Sequence, residues 1–260
     1  MGIDVKERLR ALRLPGVRGC YEEMAEYARR EGLSYERYLE ELVEREWEGR
    51  RNHRRERFLR ASRLPLEKTF ESFERKRLPA KVEAQLNMLL EGSFVERAEN
   101  VLVFGNPGSG KTHILCALGH ELILRGYRVL FRPCDLLVQE LLGAKRDLTL
   151  TSMLKQFSKY DALIIDDIGY VQQSREEMEV LFSLLSYRYE RKSVMLSSNL
   201  QFSEWEKIFK DPMTTAAVID RLVHHCVIVE LNVTSYRLEH AKKRSRNAVK
   251  VDLGGGNGGG

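Results

Sequence analysis

The sequence has no long hydrophobic run. Its 260 residues contain no apolar stretch near the roughly 18 to 20 residues that a membrane-spanning helix needs. The first ten residues, MGIDVKERLR, are charged and include no apolar segment of the kind that directs secretion. We therefore expect a cytoplasmic protein without a membrane partner.

Cysteines are few and widely spaced. The chain has four of them and no C-x-x-C pair, which argues against a disulfide framework or a zinc site and favours a reducing compartment. It also has no zinc-finger pattern, no aromatic-rich ladder and no internal repeat. Any contact with nucleic acid should therefore be largely independent of base sequence.

Basic residues are unevenly distributed in a chain whose net charge is +5. Between residues 45 and 63, eight arginines are opposed by only three glutamates, and a second basic cluster lies between residues 237 and 250. Since an ordinary surface mixes both signs, this imbalance favours an anionic partner. The closing GGGNGGG cannot bury anything, so residues 251–260 are expected to form a disordered tail or to be an expression remnant.

Residues 1–66 have apolar side chains at helical spacing and no strand-like run, which predicts a small all-helical domain. Ser34 is the expected N-cap of its last helix, and Leu64-Pro65 should end that helix. We expect an apolar stripe on this helix to pack in the domain core, with an interface to another protein as the alternative. The stripe consists of Tyr35, Tyr38, Leu39, Leu42, Val43 and Trp47.

Beyond a linker and leading helix at residues 67–99, interrupted at Pro79, short apolar strands alternate with stretches long enough for helices. This alternation predicts an α/β domain over residues 100–250, with a parallel sheet covered by helices on both faces. The expected strands are Val101–Phe104, Arg128–Arg132, Ala162–Asp166, Val194–Ser198 and Val227–Leu231.

The run GNPGSGKTH, residues 105–113, follows the first strand and precedes a helix-like stretch, as the phosphate-loop pattern G-x-x-x-x-G-K-[ST] requires. Glycines let backbone amides turn toward phosphate oxygens, and the helix N-terminus adds a positive dipole. Lys111 can reach the β- and γ-phosphates, while Thr112 can offer its hydroxyl to Mg²⁺. We therefore predict ATP and Mg²⁺ as ligands. The predicted nucleotide contacts from this run are Gly105, Asn106, Pro107, Gly108, Ser109, Gly110, Lys111, Thr112 and His113.

Polar side chains end two later strands of the predicted sheet. Asp166 and Asp167 follow a buried strand, at the edge where ligands bind in open α/β sheets. Asp166 is the predicted second Mg²⁺ ligand, and Asp167 is placed to polarise an attacking water. Asn199, after the next strand, is predicted to contact the γ-phosphate or that water, with a simple loop cap as the alternative.

Arg221 lies in AAVIDRLVHH, just before the last predicted strand. An arginine at a subunit surface can reach the γ-phosphate of a neighbouring subunit and stabilise transition-state charge. The alternative is an ordinary ion pair with Asp220.

Together these elements resemble the AAA+ ATPases, in the branch of the DnaC-type helicase loaders, and more closely the IstB-type helper ATPases of bacterial insertion sequences. The resemblance covers nearly the whole chain and is carried most specifically by YRYERKS and NLQFSEW, beside GNPGSGKTH and ALIIDDIGYVQQS. It implies an ATPase that oligomerises on duplex DNA and supports a partner transposase. A helicase loader and a small-molecule kinase remain alternatives; a kinase would need an acceptor pocket and an arginine-rich lid.

The resemblance also implies roles for single residues. Lys111 and Thr112 match Walker A, Asp166 and Asp167 match Walker B, Asn199 matches sensor I, Arg221 matches the arginine finger, and Arg237 matches the nucleotide-contacting arginine of sensor II. The short stretch after the last strand implies a truncated or absent lid. An aspartate at position 167, where many members have glutamate, predicts slow hydrolysis.

Ser197 replaces a common threonine and Val233 a frequent glycine. We expect neither difference to touch the phosphate chemistry directly.

Two basic surfaces are candidates for DNA contact, since arginine and lysine neutralise phosphates without reading bases. The first is the arginine-rich helix, with an ordinary solvated face as the alternative, and the second is a loop region after the second strand, where related ATPases contact DNA. The candidate residues are Arg50, Arg51, Arg54, Arg55, Arg57, Lys145 and Arg146.

Overall fold

A computed structural model describes residues 4–169, 174–209, 211–232 and 235. The chain forms two compact units, Met1–Phe58 and Leu59–Gly260. The division falls inside a long helix, before the boundary at residue 66 that the sequence suggested. Within the described ranges, no helix is long and apolar enough to cross a membrane.

The first unit is helical, as predicted. Its helices are α1 (Val5–Ala11), α2 (Pro15–Glu31) and α3 (Tyr35–Ser62). The Oγ of Ser34 accepts a hydrogen bond from the backbone amide of Arg37 at 3.2 Å, so Ser34 caps α3 as expected. Gly32 ends α2 in the left-handed conformation that glycine adopts without strain. The long helix α3 stops before Leu64-Pro65, as the proline predicts.

The apolar stripe of α3 is only partly a core, so the core prediction is wrong for most of its members. Leu42 is buried against Cys20 and Met24 of α2, with Tyr38 half-buried beside them. Four members remain exposed because the core of this unit covers only one side of α3. They are Tyr35, Leu39, Val43 and Trp47.

A buried carboxylate joins the start of α2 to the middle of α3. Oε2 of Glu46 accepts hydrogen bonds from the backbone amides of Gly16, at 2.7 Å, and Val17, at 3.2 Å. Arg50 donates to the other carboxylate oxygen at 2.7 Å and to the carbonyl of Arg13 at 2.7 Å. Burial raises the pKa of Glu46, but the hydrogen bonds from Arg50 and the two amides leave the pKa below its ordinary value.

The second unit contains the predicted α/β domain. Its strands are β1 (Asn100–Gly105), β2 (Val129–Pro133), β3 (Ala162–Asp166), β4 (Ser193–Ser198) and β5 (Cys226–Leu231). Its helices are α4 (Ala80–Leu90), α5 (Ser93–Glu96), α6 (Lys111–Leu124), α7 (Cys134–Arg146), α8 (Leu150–Phe157), α9 (Arg175–Arg188), α10 (Glu206–Phe209) and α11 (Pro212–Val223). Short 3₁₀ turns lie at Arg75–Arg77 and Phe202–Glu204.

All five strands are parallel in the order β2-β3-β4-β1-β5. The metal-binding strand predicted at Ala162–Asp166 is β3, and β4 lies between it and β1. All five predicted strands are confirmed, each to within one residue at either end. Because parallel strands end at the same edge, this order gathers the phosphate loop, the two aspartates and Asn199 at one edge of the sheet.

A buried arginine binds backbone carbonyls at the opposite edge of the sheet. Arg188, at the end of α9, is 1% exposed, and its guanidinium donates to four backbone carbonyls. The acceptors are Phe157 at 2.8 Å, Tyr160 at 3.1 Å, Asp161 at 3.4 Å and Ser193 at 2.8 Å. Burial lowers the pKa of Arg188 to about 9, still above neutral pH, so it remains the cation those carbonyls require. This arginine explains part of the YRYERKS run: it joins the end of α8 to the starts of β3 and β4.

Candidate ATP site

The phosphate loop connects β1 to α6 at the carboxyl edge of the sheet. Gly108 and Gly110 have φ angles of 81° and 100°, a left-handed conformation that side chains rarely adopt. A Cβ on Gly110 would lie 3.0 Å from Cε2 of Phe73, and one on Gly108 would collide with Ser235 Oγ. The backbone conformation therefore favours glycine at both positions, and at Gly108 the space for a Cβ is already occupied.

Lys111 begins α6 and is buried within the loop. Its Nζ donates to the carbonyl of Gly105 at 2.9 Å and to that of Asn106 at 3.3 Å. The ammonium is thereby held inside the loop that precedes it, where an incoming phosphate would find a fixed positive charge.

The carboxylate of Asp166 and the hydroxyls of Thr112 and Ser197 meet at the candidate metal position. Oδ1 of Asp166 accepts hydrogen bonds from the hydroxyls of Thr112, at 2.8 Å, and Ser197, at 2.7 Å. Ser197 also accepts the backbone N–H of Asp167 at 2.8 Å. This one hydroxyl contacts both aspartates, so position 197 can act on the phosphate chemistry through them. The expectation that it does not touch that chemistry directly stays a prediction.

Asp167 stands in a strained, partly buried position. Its φ is 58°, which is unusual for a residue with a side chain. Burial raises the pKa of Asp167; Lys111 lowers it, Asp166 raises it further, and the net pKa is above the ordinary value. Among the described residues, its buried Oδ1 has no hydrogen-bond partner. An acceptor with a raised pKa and a free oxygen suits a group that must hold a water.

Asn199 reaches the same edge from the end of β4. Its Oδ1 lies against the backbone of Gly169, two residues beyond Asp167, so closely that a side chain at 169 would collide with it. In the described part of the chain this buried oxygen also has no hydrogen-bond partner. The structure thus places Asn199 against the segment that follows the two aspartates, with a buried oxygen that lacks a partner in the described chain.

An aromatic cluster holds the segment after Asn199. Trp205 is fully buried and donates to the carbonyl of Leu200 at 3.2 Å. Its ring lies 5.1 Å from that of Phe202, which packs edge-on against Phe104 of β1 at 4.8 Å. The aromatic residues of the NLQFSEW run therefore pack against β1 and hold the chain next to Asn199 in place.

The linker before the α/β domain supplies a wall of the site that sequence reasoning missed. His113 Nε2 lies 2.8 Å from the carbonyl of Thr69 and 3.2 Å from Ser72 Oγ, and the ring of Phe73 lies 5.0 Å from the His113 ring. A cavity of about 400 Å³ opens between this segment and the phosphate loop. Besides the loop and Asp167, its lining comprises Lys68, Ser72, Phe73, Glu74, Arg77 and Leu78.

These residues fit a nucleoside triphosphate with a magnesium ion. The left-handed φ angles of Gly108 and Gly110 let the loop backbone turn its amides toward phosphate oxygens. Buried oxygens of Ser109, Asp167 and Asn199 have no partner in the described chain. The oxygen donors Thr112 and Asp166 are of the kind that Mg²⁺ prefers.

Arg221 lies away from this site. The carbonyls of Arg221 and Leu222 accept hydrogen bonds from Asn100, the first residue of β1, at 3.4 Å and 3.1 Å, whereas the phosphate loop follows the last residue of that strand. Its guanidinium lies 4.9 Å from the Phe182 ring centroid and donates to the carbonyl of Ala217 at 2.8 Å. The alternative ion pair with Asp220 is not formed.

The DNA candidates fall into two groups. Lys145 and Arg146 lie in the last turn of α7, not in a loop as predicted, and Lys145 pairs with Glu179 at 2.9 Å. Of the arginines on α3, Arg50 is committed to Glu46, whereas the exposed Arg51 and Arg54 have no acidic partner among the described residues.

Some predictions lie outside the described residues. They are the expectation for Val233, the sensor II role of Arg237, the basic cluster at residues 237–250, the short or absent lid and the glycine-rich tail at 251–260.

Comparison with known sequences identifies the relatives. Residues 7–245 match the family of IstB-like ATP-binding proteins. An insertion-sequence ATP-binding protein of Sinorhizobium fredii (strain NBRC 101917 / NGR234) is 43% identical over 240 residues, which cover 92% of this chain and 80% of the relative. The insertion sequence IS21 ATP-binding protein of Pseudomonas aeruginosa is 39% identical over 222 residues, which cover 85% of this chain and 84% of the relative.

Solved structures share the fold at lower identity. The crystal structure of DnaI has a TM-score of 0.55 at 21% identity and covers 66% of this chain and 96% of its own. The crystal structure of the DnaC helicase loader has a TM-score of 0.51 at 18% identity and covers 64% of this chain and 98% of its own. These likenesses confirm the P-loop AAA+ fold, and the sequence match over residues 7–245 shows that the chain belongs to the IstB-like ATP-binding protein family.

Proposed function

We propose that this protein is an ATP-controlled regulator that assembles on duplex DNA and supports a partner transposase, using slow ATP hydrolysis as a switch. The observation that carries the proposal is the separation of Arg221 from the ATP site of its own chain. Asn100 joins Arg221 to one end of β1, and Lys111 lies beyond the other. An arginine so placed can reach a γ-phosphate only on a neighbouring subunit.

The residues of the site have distinct parts in hydrolysis. Lys111 and the loop amides bind the phosphates, and Asp167 accepts a hydrogen bond from the attacking water and orients it. Asn199 offers its buried oxygen to the same region. Bound Mg²⁺ would supply charge neutralisation at the phosphates, held by Thr112 and Asp166. Phe73, Arg77 and Leu78 border the space in which we place the nucleoside.

Two observations support DNA as the surface of assembly. Arg51 and Arg54 on α3 are exposed cations without acidic partners in the described chain, and the relatives belong to insertion sequences. Helicase loading rests on fold likeness alone.

The salt dependence of DNA binding tests this proposal. Reversing charge at Arg51, Arg54 and Arg55 removes three phosphate contacts, so the slope of log affinity against log salt should become shallower by about 2 to 3. The matched variant Lys145→Glu with Arg146→Glu tests the second surface. If only that variant changes the slope, the DNA contact lies on α7; if neither changes it, the DNA-binding surfaces proposed here are wrong.

A further inference from the structure

The helix α3 has two halves of opposite charge. From Glu36 to Glu48 it contains six glutamates and two arginines, and from Arg50 onward arginine dominates. The second half is the surface we assign to DNA. The first half would repel phosphates, so its exposed features require a different explanation.

A row of large apolar side chains runs along this acidic half. Tyr35 is 90% exposed, Leu39 60%, Val43 57% and Trp47 59%. Their spacing of four residues places them in one continuous strip on the helix surface. No residue in the described ranges buries the strip, and it is distinct from the core-facing Leu42.

A row of glutamates runs beside the apolar row. Each of the four apolar residues is followed directly by a glutamate, so the second row has the same spacing and lies alongside the first. All four carboxylates are exposed, and Glu44 and Glu48 have no basic partner among the described residues. The row consists of Glu36, Glu40, Glu44 and Glu48.

We infer that this face binds an amphipathic helix of a partner protein that carries lysine or arginine beside an apolar row. Aromatic side chains such as Tyr35 and Trp47 are the kind that anchor protein interfaces. The glutamate row selects a partner of positive charge, as flanking charges do in paired helices. The inference deepens the proposed function by naming the chemistry of its protein partner, but it requires neither ATP nor DNA.

A second copy of this chain fits the face poorly. In a two-fold antiparallel pair of α3 helices, each flank meets the same flank of the other copy, so the glutamate rows would lie side by side. In a parallel pair, the glutamates would meet the flank of α3 that contains the buried Leu42 and is covered by α2. Like-charge repulsion disfavours the first arrangement, and the packing of α2 on that flank blocks the second.

The test uses two synthetic helical peptides with identical apolar rows, one flanked by lysines and the other by glutamates. Trp47 is the reporter, because the other tryptophan, Trp205, is fully buried. With the full-length protein, the lysine peptide should shift the Trp47 emission to shorter wavelength and saturate. Four exposed ion pairs of about 0.2–1 kcal/mol each imply at least about fourfold weaker binding of the glutamate peptide.

Variants separate the two contributions. Leu39→Ser with Val43→Ser should abolish binding without changing the circular dichroism, because both side chains are exposed. Glu44→Lys with Glu48→Lys should abolish the preference between the peptides, because the two lysines then balance Glu36 and Glu40. The same charge change at two exposed sites of the other unit, Glu176→Lys with Glu206→Lys, should leave it unchanged.

Three results would overturn the inference. They are no binding of either peptide, equal binding of both, and a wild-type dimer that Leu39→Ser with Val43→Ser converts to a monomer without peptide. The last result would identify a second copy as the occupant. The salt slope of DNA binding should be the same for this variant and for wild type, so failure here is distinguishable from failure of the proposed function.

Discussion

Replacing Ser197 by alanine should impair ATP hydrolysis more than it impairs folding. The hydroxyl donates to Asp166 at 2.7 Å and accepts the backbone N–H of Asp167 at 2.8 Å, in a fully buried position. A hydrogen bond to a carboxylate contributes about 1.5–3 kcal/mol, and an orphaned buried N–H costs about 1–3 kcal/mol. If the less well positioned aspartates stabilise the transition state by about 2 kcal/mol less, the turnover number falls about 30-fold.

A neighbouring serine provides the matched control. Ser198 is equally buried on β4, but among the described residues its hydroxyl bonds only to the backbone of Leu200. Ser198→Ala should therefore lower the unfolding free energy by a similar amount and leave turnover close to wild type. Ser197→Thr retains the hydroxyl and should restore most of the activity.

The assay is steady-state ATP hydrolysis at several Mg²⁺ concentrations, together with urea unfolding. For Ser197→Ala we expect a lower kcat and a higher Mg²⁺ requirement, because Asp166 loses a donor that orients it. Equal turnover in the Ser197→Ala and Ser198→Ala variants would refute the reasoning, since the contact with the aspartates would then have no chemical role.

Three further predictions concern the buried arginine, the buried glutamate and the arginine outside the site. Arg188→Met should lower the unfolding free energy by about 3 kcal/mol and Tm by about 6–12 °C, while the exposed neighbour change Arg191→Met should have little effect in the same thermal scan. Because the folded-state pKa of Glu46 lies below its ordinary value of 4.5, its stabilisation is complete at neutral pH and is lost as pH falls through that folded-state pKa. The difference in urea midpoint between wild type and Glu46→Gln should accordingly shrink below about pH 4.5, and a constant difference would contradict this. Arg221→Ala should retain ATP binding and lose hydrolysis by about 10³-fold, and mixing it with Asp167→Asn should restore turnover; no restoration would contradict a role across subunits.

The sequence predicted the elements of the fold closely, because each buried parallel strand is a short apolar run with a clear end. It also predicted that Lys111, Thr112 and Asp166 would meet, since strands that run in parallel end at one edge. The part of Ser197 depends on the register of β3 and β4, in which Ile165 lies opposite Leu196 and the next residues come side by side. Register is a tertiary property that neither strand carries alone.

Other features escaped prediction for related reasons. Periodicity indicates which residues of α3 share a face, but the packing of α2 decides which face is covered, so Trp47 was assigned to a core that does not reach it. The sequence indicates only a linker before the α/β domain, because nothing local predicts that Phe73 will pack on His113. The local sequence does not predict the burial of Arg188 either, since its carbonyl partners come from three separate segments.

The most direct test of the central claim is electron microscopy of the protein with long duplex DNA, in ATP and in ADP. We expect ordered assemblies on DNA with ATP, none with ADP, and none in either nucleotide for Lys111→Ala, whose loop lacks the fixed charge that holds the phosphates. Equal assembly in ATP and ADP, or normal assembly of Lys111→Ala with ATP, would contradict the claim.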